Sequence, residues 1–264
     1  MNFPITLADQ NLAESLREFA RWSPEAQCVE HDGLLLTLGA DEFPAINDVM
    51  RCGAGAVPSA QLVLERASAF FAVHERGFGV RTRAHLDGDL IELCKARGMF
   101  QISDAPGMGV SERVPDSALP RASGKLELRT VRDAAGAADF VTVGTASYGT
   151  IGLPAASASK LFGYPERLLQ AHMHAVVAYD GPTPISAALA FLSHGIGGVY
   201  WVGTVPAGRG RGVAAHCTQA VTNWCFEQGA RAVALQASRQ GEPIYRALGF
   251  TEFTRYPWFL CMPS

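Results

Sequence analysis

The stretch from Val199 to Ala215, VYWVGTVPAGRGRGVAA, holds the densest set of residues able to do chemistry in this chain. An apolar run of strand length ends at Val205, Pro206 turns the chain, and a Gly/Arg loop feeds directly into a helical pattern. Such a loop turns several backbone N–H groups toward one point at the positive end of a helix dipole, where a phosphate or pyrophosphate is held. Gly210 and Gly212 let the backbone come close to such a ligand. Arg209 and Arg211 add charge that pairs with phosphate oxygens. Two other phosphate motifs fail: there is no GxxxxGK[ST], and no GxGxxG with an acidic residue some way beyond it. Taken alone, the segment also fits an ordinary Gly-rich strand–helix turn with solvated arginines.

A second feature narrows the choice. Arg209 to Ala214, RGRGVA, matches the R/Q-x-x-G-x-G/A signature of the GCN5-related N-acetyltransferase (GNAT) family. Further along, Ile244 to Phe250, IYRALGF, resembles that family's second signature, a Tyr on a short helix ending in Gly-Phe. The two occur in the family's order, with strands before the first and a strand between them. The resemblance spans nearly the whole second half of the chain.

The resemblance implies that backbone groups of Gly210, Arg211, Gly212, Val213, Ala214 and Ala215 bind the pyrophosphate of acetyl-CoA. It implies that the strand before the loop is splayed from its neighbour. Val202, Gly203 and Thr204 then offer main-chain groups to the pantetheine arm and the acyl carbonyl. Gly203 within a strand fits close backbone approach. Tyr245 is expected near the CoA sulfur, protonating the leaving thiolate; its plainer alternative is a packing aromatic. Where many members carry an Asn that touches the cofactor arm, this chain has Ser238, whose hydroxyl still makes one hydrogen bond.

The general base is not evident. Glu242, His194, His216 and Tyr200 are candidates by location, each with a bland alternative as a solvated or packing residue. Cys217 and Cys225 fall on or near the apolar face of a helix and are expected to pack rather than to act as nucleophiles. The segment from Tyr148 to His174 stands where the family usually builds its acceptor pocket. Its Tyr148, Phe162, Tyr164, Glu166, Arg167, His172 and His174 line a pocket or fill a core; the sequence leaves both open.

These residues need positioning elements. Strands are expected over Leu126–Val131, His172–Tyr179, Pro184–Ser193, Val199–Val205, Ala232–Ala237 and within Phe250–Cys261. Helices are expected from an Asp133 cap to about Val143, over Gly212–Gln228, and over Glu242–Leu248 before Gly249. In the first half, a helix is expected over Leu7–Arg21 with Thr6 as N-cap and Asp9 at N3, and another over Pro58–Arg76 before Gly77. Strand-like runs lie at Leu34–Leu38 and Ala45–Arg51.

The halves look related. A shift of 151 residues sets Gly98 on Gly249, Met99 on Phe250 and Pro106 on Pro257, and helix 58–76 on helix 212–228. This suggests a duplicated fold. The phosphate loop then falls on Val57 to Leu62, VPSAQL, without glycine or arginine, and Cys94 stands in place of Tyr245. The first half has thus lost a cofactor site and serves as structural partner or as part of the acceptor cleft.

Composition agrees with an enzyme of this kind. Of 264 residues, 48 % are hydrophobic and 18 % charged, enough for a sizeable core. A net charge of −3 gives no electrostatic reason to expect nucleic acid or an anionic membrane as partner. No apolar run approaches the ~18 residues that span a bilayer. The N-terminus lacks signal-peptide character, and six cysteines without metal spacing read as reduced thiols. The expected location is cytoplasmic.

The reading is an α/β (α+β) GNAT fold, a mixed central sheet flanked by helices, duplicated in tandem. Residues 1–122 form a degenerate N-terminal domain and 123–264 the acetyltransferase domain, with a polar linker at Ser111 to Gly124. The expected activity is transfer of an acetyl group from acetyl-CoA, without metal, to a small-molecule or peptide primary amine by direct attack in a ternary complex. The rivals are a non-catalytic acyl-CoA sensor and an acyltransferase using a longer acyl chain.

Overall fold

The computed structural model describes residues 3–43, 46–53, 57–121 and 126–262. The expected boundary between residues 122 and 123 lies outside the described residues, as does Ala45. The first half contains α1 (Ile5–Ala20), β1 (Gln27–His31), β2 (Leu34–Leu38), β3 (Asp48–Arg51), α2 (Ala60–Val73), β4 (Phe78–Arg81), α3 (Gly88–Ala96) and β5 (Phe100–Val110). The second half contains β6 (Leu126–Thr130), α4 (Ala134–Gly149), α5 (Ala155–Leu161), β7 (Met173–Asp180), β8 (Thr183–Ser193), β9 (Ile196–Thr204), α6 (Val213–Glu227), β10 (Val233–Gln236), α7 (Glu242–Ala247) and β11 (Thr251–Cys261).

The strands form one 11-stranded mixed sheet in the order β1-β2-β3-β4-β11-β5-β10-β9-β8-β7-β6. Its centre shows how the halves join. The last strand of the chain, β11, pairs with β4 of the first half, and β5 of the first half pairs with β10 of the second. Each half lends its long closing strand to the other. The 151-residue shift maps β5 onto β11, and maps Ala105 onto Tyr256, its own partner across the β5–β11 ladder. A pseudo-twofold axis therefore passes through that pair, which supports duplication.

Packing follows the exchange. Phe259 of β11 is fully buried in the first half's core with Val63, Phe71, Phe78 and Leu90. Met108 and Val110 of β5 pack in the second half's core with Val213, Val221 and Leu235. Truncation of Phe259 to Ala is expected to cost about 3–5 kcal/mol, the usual range for a large buried aromatic. Because the exchanged strands tie both cores together, calorimetric melting of Phe259→Ala should show one transition at lower temperature. A second transition left at the wild-type temperature would mean that the halves unfold separately.

Helix α1 also crosses between the halves. Its Leu12 and Ala13 pack with Leu35, Met50 and Tyr256. Its Asn11 donates to the Phe191 carbonyl at 3.2 Å and accepts from the Tyr200 hydroxyl at 2.8 Å.

Several expected boundaries move. Helix α1 starts at Ile5 after Pro4, with no side-chain cap, so Thr6 is inside the helix. Asp9, expected to serve the helix start, is buried; it accepts from the Tyr256 hydroxyl at 2.8 Å and meets His85 Nε2 at 2.9 Å. Tertiary partners outweigh local capping there. Helix α2 starts after Ser59, whose hydroxyl accepts from Leu62 N at 3.3 Å, rather than at Pro58. It ends at Val73, short of Gly77. Asp133 does cap α4, accepting from Gly136 N at 2.8 Å, and the helix runs on to Gly149.

Candidate functional site

The site begins with a kink in β9. Residues Leu189 and Ala187 of β8 face Tyr200 and Gly203, so β9 holds one extra residue opposite Ala188. Trp201 at this bulge has φ +52°, a left-handed conformation that side chains disfavour. Its indole packs against Tyr148, Phe162, Phe19 and Trp22, which holds the strained backbone in place. Parallel pairing with β10 covers only Gly197 and Gly198, yet β9 continues to Thr204. The two strands part, and the main chain from the bulge onward borders an open cleft.

That cleft has a volume of about 660 Å³. Val202, Gly203 and Thr204 line one side. The turn after β9 supplies Arg209, Gly210 and Gly212, and the start of α6 supplies Val213, Ala214 and Ala215. Ser238 and Tyr245 close the far wall. Gly210 and Gly212 have φ of +73° and +75°, a left-handed conformation that favours glycine. A Cβ on Gly212 would also lie 2.9 Å from Pro120 Cγ. Among the described residues, the amides of Gly210, Gly212, Val213 and Ala214 have no backbone acceptor, while the Ala215 amide closes onto Gly212 O at 3.1 Å. These are the orphan donors of a helix start, at four of the six positions where the phosphate cradle is expected.

The two arginines separate. Arg209 borders the cleft, with Nε donating to Thr204 O at 3.2 Å and Nη2 to Thr150 Oγ1 at 2.6 Å. Arg211 is outside the lining; its Nη1 donates to Asp180 Oδ2 at 2.7 Å and ties the loop to β7.

Tyr245 is buried, and its hydroxyl makes no hydrogen bond with the described residues. Burial pushes its phenol well above the ordinary value, so it stays protonated and able to donate. Gly241 N donates to Ser238 Oγ at 3.1 Å, so Ser238 builds the turn into α7. The Ser238 hydroxyl hydrogen remains free for a second partner.

Gly203 has a reason the sequence did not reveal. A Cβ there would lie 2.8 Å from Ser147 Cβ, so the glycine admits helix α4 against β9. The Ser147 hydroxyl is buried on the cleft wall without a partner among the described residues. Tyr148 follows it, half-buried, with its hydroxyl donating to Val202 O at 3.3 Å. The linker was also missed: Ala118, Leu119 and Pro120 line the cleft beside the loop. Gln219 and Asn223 of α6 hold this linker by donating to Val114 O at 3.2 and 2.9 Å.

None of the four candidate bases lines the cleft. Glu242 accepts from Arg246 at 2.8 Å, and His216 Nε2 meets Pro120 O at 3.0 Å outside it. His194 sits in the β8–β9 turn, and Tyr200 is held by Asn11. Cys217 and Cys225 are fully buried, and burial pushes both thiols up to about 12, which makes them inert packing groups. Among the described residues no group of side chains could hold a metal ion, and no helix is long and apolar enough to cross a membrane.

The splayed strand pair and the glycine-turned helix start are the features that the resemblance implied. Residues 148–250 match the acetyltransferase (GNAT) family. The fold of the whole chain is that of known members. It resembles a GCN5-related N-acetyltransferase from Kribbella flavida at 20 % identity, covering 96 % of this chain and 95 % of that one, with a TM-score of 0.69. A GCN5-related N-acetyltransferase from Sphaerobacter thermophilus aligns at 17 % identity over 94 % of this chain and 84 % of that one, with a TM-score of 0.64. A tandem GNAT protein from the clavulanic acid biosynthesis pathway aligns at 12 % identity over 97 % of this chain and 96 % of that one, with a TM-score of 0.62. No curated protein matches the chain.

Proposed function

We propose that the protein transfers an acetyl group from acetyl-CoA to a primary amine by direct attack in a ternary complex. The observation that carries this reading is a single cleft bordered by the orphan amides of α6, the open edge of β9 and the unbonded Tyr245 hydroxyl. The amides of Gly210, Gly212, Val213 and Ala214 suit the diphosphate, with Arg209 beside them. The main chain of Val202 to Thr204 suits the extended arm. Acetyl-CoA supplies the activated acyl group; Tyr245 protonates the departing sulfur.

Among the described residues, the cleft lining contains no Asp, Glu or His. Proton removal therefore falls to the environment: apolar walls disfavour an ammonium ion and favour the neutral amine that attacks. A pH profile follows. kcat/KM should rise with pH until the amine's own pKa, and an amine of lower pKa should move the rise to lower pH by the same interval. A rise fixed near pH 6–7 for every amine would reveal an enzyme base. The activity itself is tested by CoA release from acetyl-CoA across a panel of primary amines. Tight acetyl-CoA binding with no turnover on any amine would favour the sensor reading.

A further inference from the structure

A second cavity of about 560 Å³ adjoins the cofactor cleft, and Tyr148 and Ile151 line both. Its other walls come from both halves: Phe19 of α1, Leu38 of β2, Trp258 and Leu260 of β11, and Trp201 of β9. The lining is mainly apolar. An ion pair also lines this cavity. Arg81 Nε donates to Asp48 Oδ2 at 2.8 Å, and the Trp258 indole donates to Asp48 Oδ1 at 2.8 Å. The guanidinium carbon lies 3.9 Å from the centre of the Trp258 ring. Asp48 is 4 % exposed at its side chain and Arg81 27 %.

The pair is unequal in its satisfaction. Both Asp48 oxygens are bonded, whereas Arg81 uses only Nε. Its two terminal nitrogens have no partner among the described residues and remain accessible in the cavity. Asp48 on one edge and Trp258 on one face fix the guanidinium plane, so its free fork is held in advance of any ligand. Two parallel N–H groups in that fork match a carboxylate. Ser23 lines the same cavity, its hydroxyl buried without a partner among the described residues.

Resting on the acetyltransfer reading above, we infer that this cavity takes the acceptor, and that the acceptor is an apolar primary amine bearing a carboxylate, with the carboxylate on the Arg81 fork and the amine toward Tyr148. Placing the fork on β4 and the shared wall on α4 gives the first half of the chain a purpose: it reads the acid while the second half holds the cofactor.

Two matched pairs test this: phenethylamine against phenylalanine, and octylamine against ω-aminooctanoate. Calorimetry measures binding of each amine and, separately, of acetyl-CoA; CoA release measures turnover. In at least one pair the carboxylate form should be preferred by about tenfold or more in affinity and in kcat/KM. Arg81→Met should erase that preference while acetyl-CoA affinity stays unchanged, and Arg81→Lys should keep part of it. If neither carboxylate is preferred by wild type, or if Arg81→Met keeps the preference, the inference is overturned. Should Arg81→Met fail to fold, the wild-type comparison alone decides. Absence of acetyl-CoA binding would instead overturn the transfer reading, while amine binding still reports on the cavity.

Discussion

Gly210→Asp is expected to abolish acetyl-CoA binding, with affinity falling by a hundredfold or more, whereas Gly210→Asn should lose far less. Gly210 has φ +73°, a conformation that Asp and Asn tolerate better than other side chains. A Cβ at this position has nothing within 4 Å, so neither variant collides with the protein. The two differ only in charge. A carboxylate held against a diphosphate costs several kcal/mol, and about 1.4 kcal/mol is a factor of ten. Gly212 is the less clean position, because its Cβ would meet Pro120 as well as any ligand. Calorimetric titration separates the outcomes. Loss in Asp alone supports a phosphate at the loop, loss in both supports a ligand packed against the backbone, and retention in both removes the ligand from the loop.

Tyr245→Phe should lower kcat by about 10²–10³ with little change in acetyl-CoA affinity. The hydroxyl makes no hydrogen bond with the described residues, so its removal leaves no orphaned partner. The ring stays in place, packed against Phe250 at 6.0 Å between centroids and against the Gly241 turn. Burial pushes the phenol up, so Tyr245 contributes no titration limb below the alkaline range. Steady-state kinetics with a saturating amine reads the effect. An unchanged kcat would leave Tyr245 a packing residue and pass the proton to water or to Tyr148, which lines the same cleft.

The parts of this site that depend on local sequence were legible in it. The Gly/Arg loop, helix α6 after it and Tyr245 on a short helix before Gly249 all rest on glycine conformation and helical spacing, which a single segment determines. The parts that depend on partners were not. Nothing in FQISDAPGMGV or TEFTRYPWFLC says that β5 and β11 cross into each other's half, because strand neighbours are chosen over long separations. The Trp201 bulge was hidden for the same reason: its left-handed backbone is held by Phe19, Trp22, Tyr148 and Phe162, distant in sequence, around the indole. Arg211 looked equivalent to Arg209 until Asp180 was placed beside it. Ser147 gave no signal of its own, since only the approach of α4 to Gly203 puts it on the cleft wall. The Arg81–Asp48–Trp258 set draws its members from β4, β3 and β11, three segments far apart in sequence.

A crystal structure of the protein with acetyl-CoA bears most directly on the cofactor assignment. The diphosphate should lie within hydrogen-bond distance of the amide nitrogens of Gly210, Gly212, Val213 and Ala214, with the thioester beside the Tyr245 hydroxyl and the arm along Val202 to Thr204. A diphosphate bound elsewhere, with those amides still facing solvent, would contradict it.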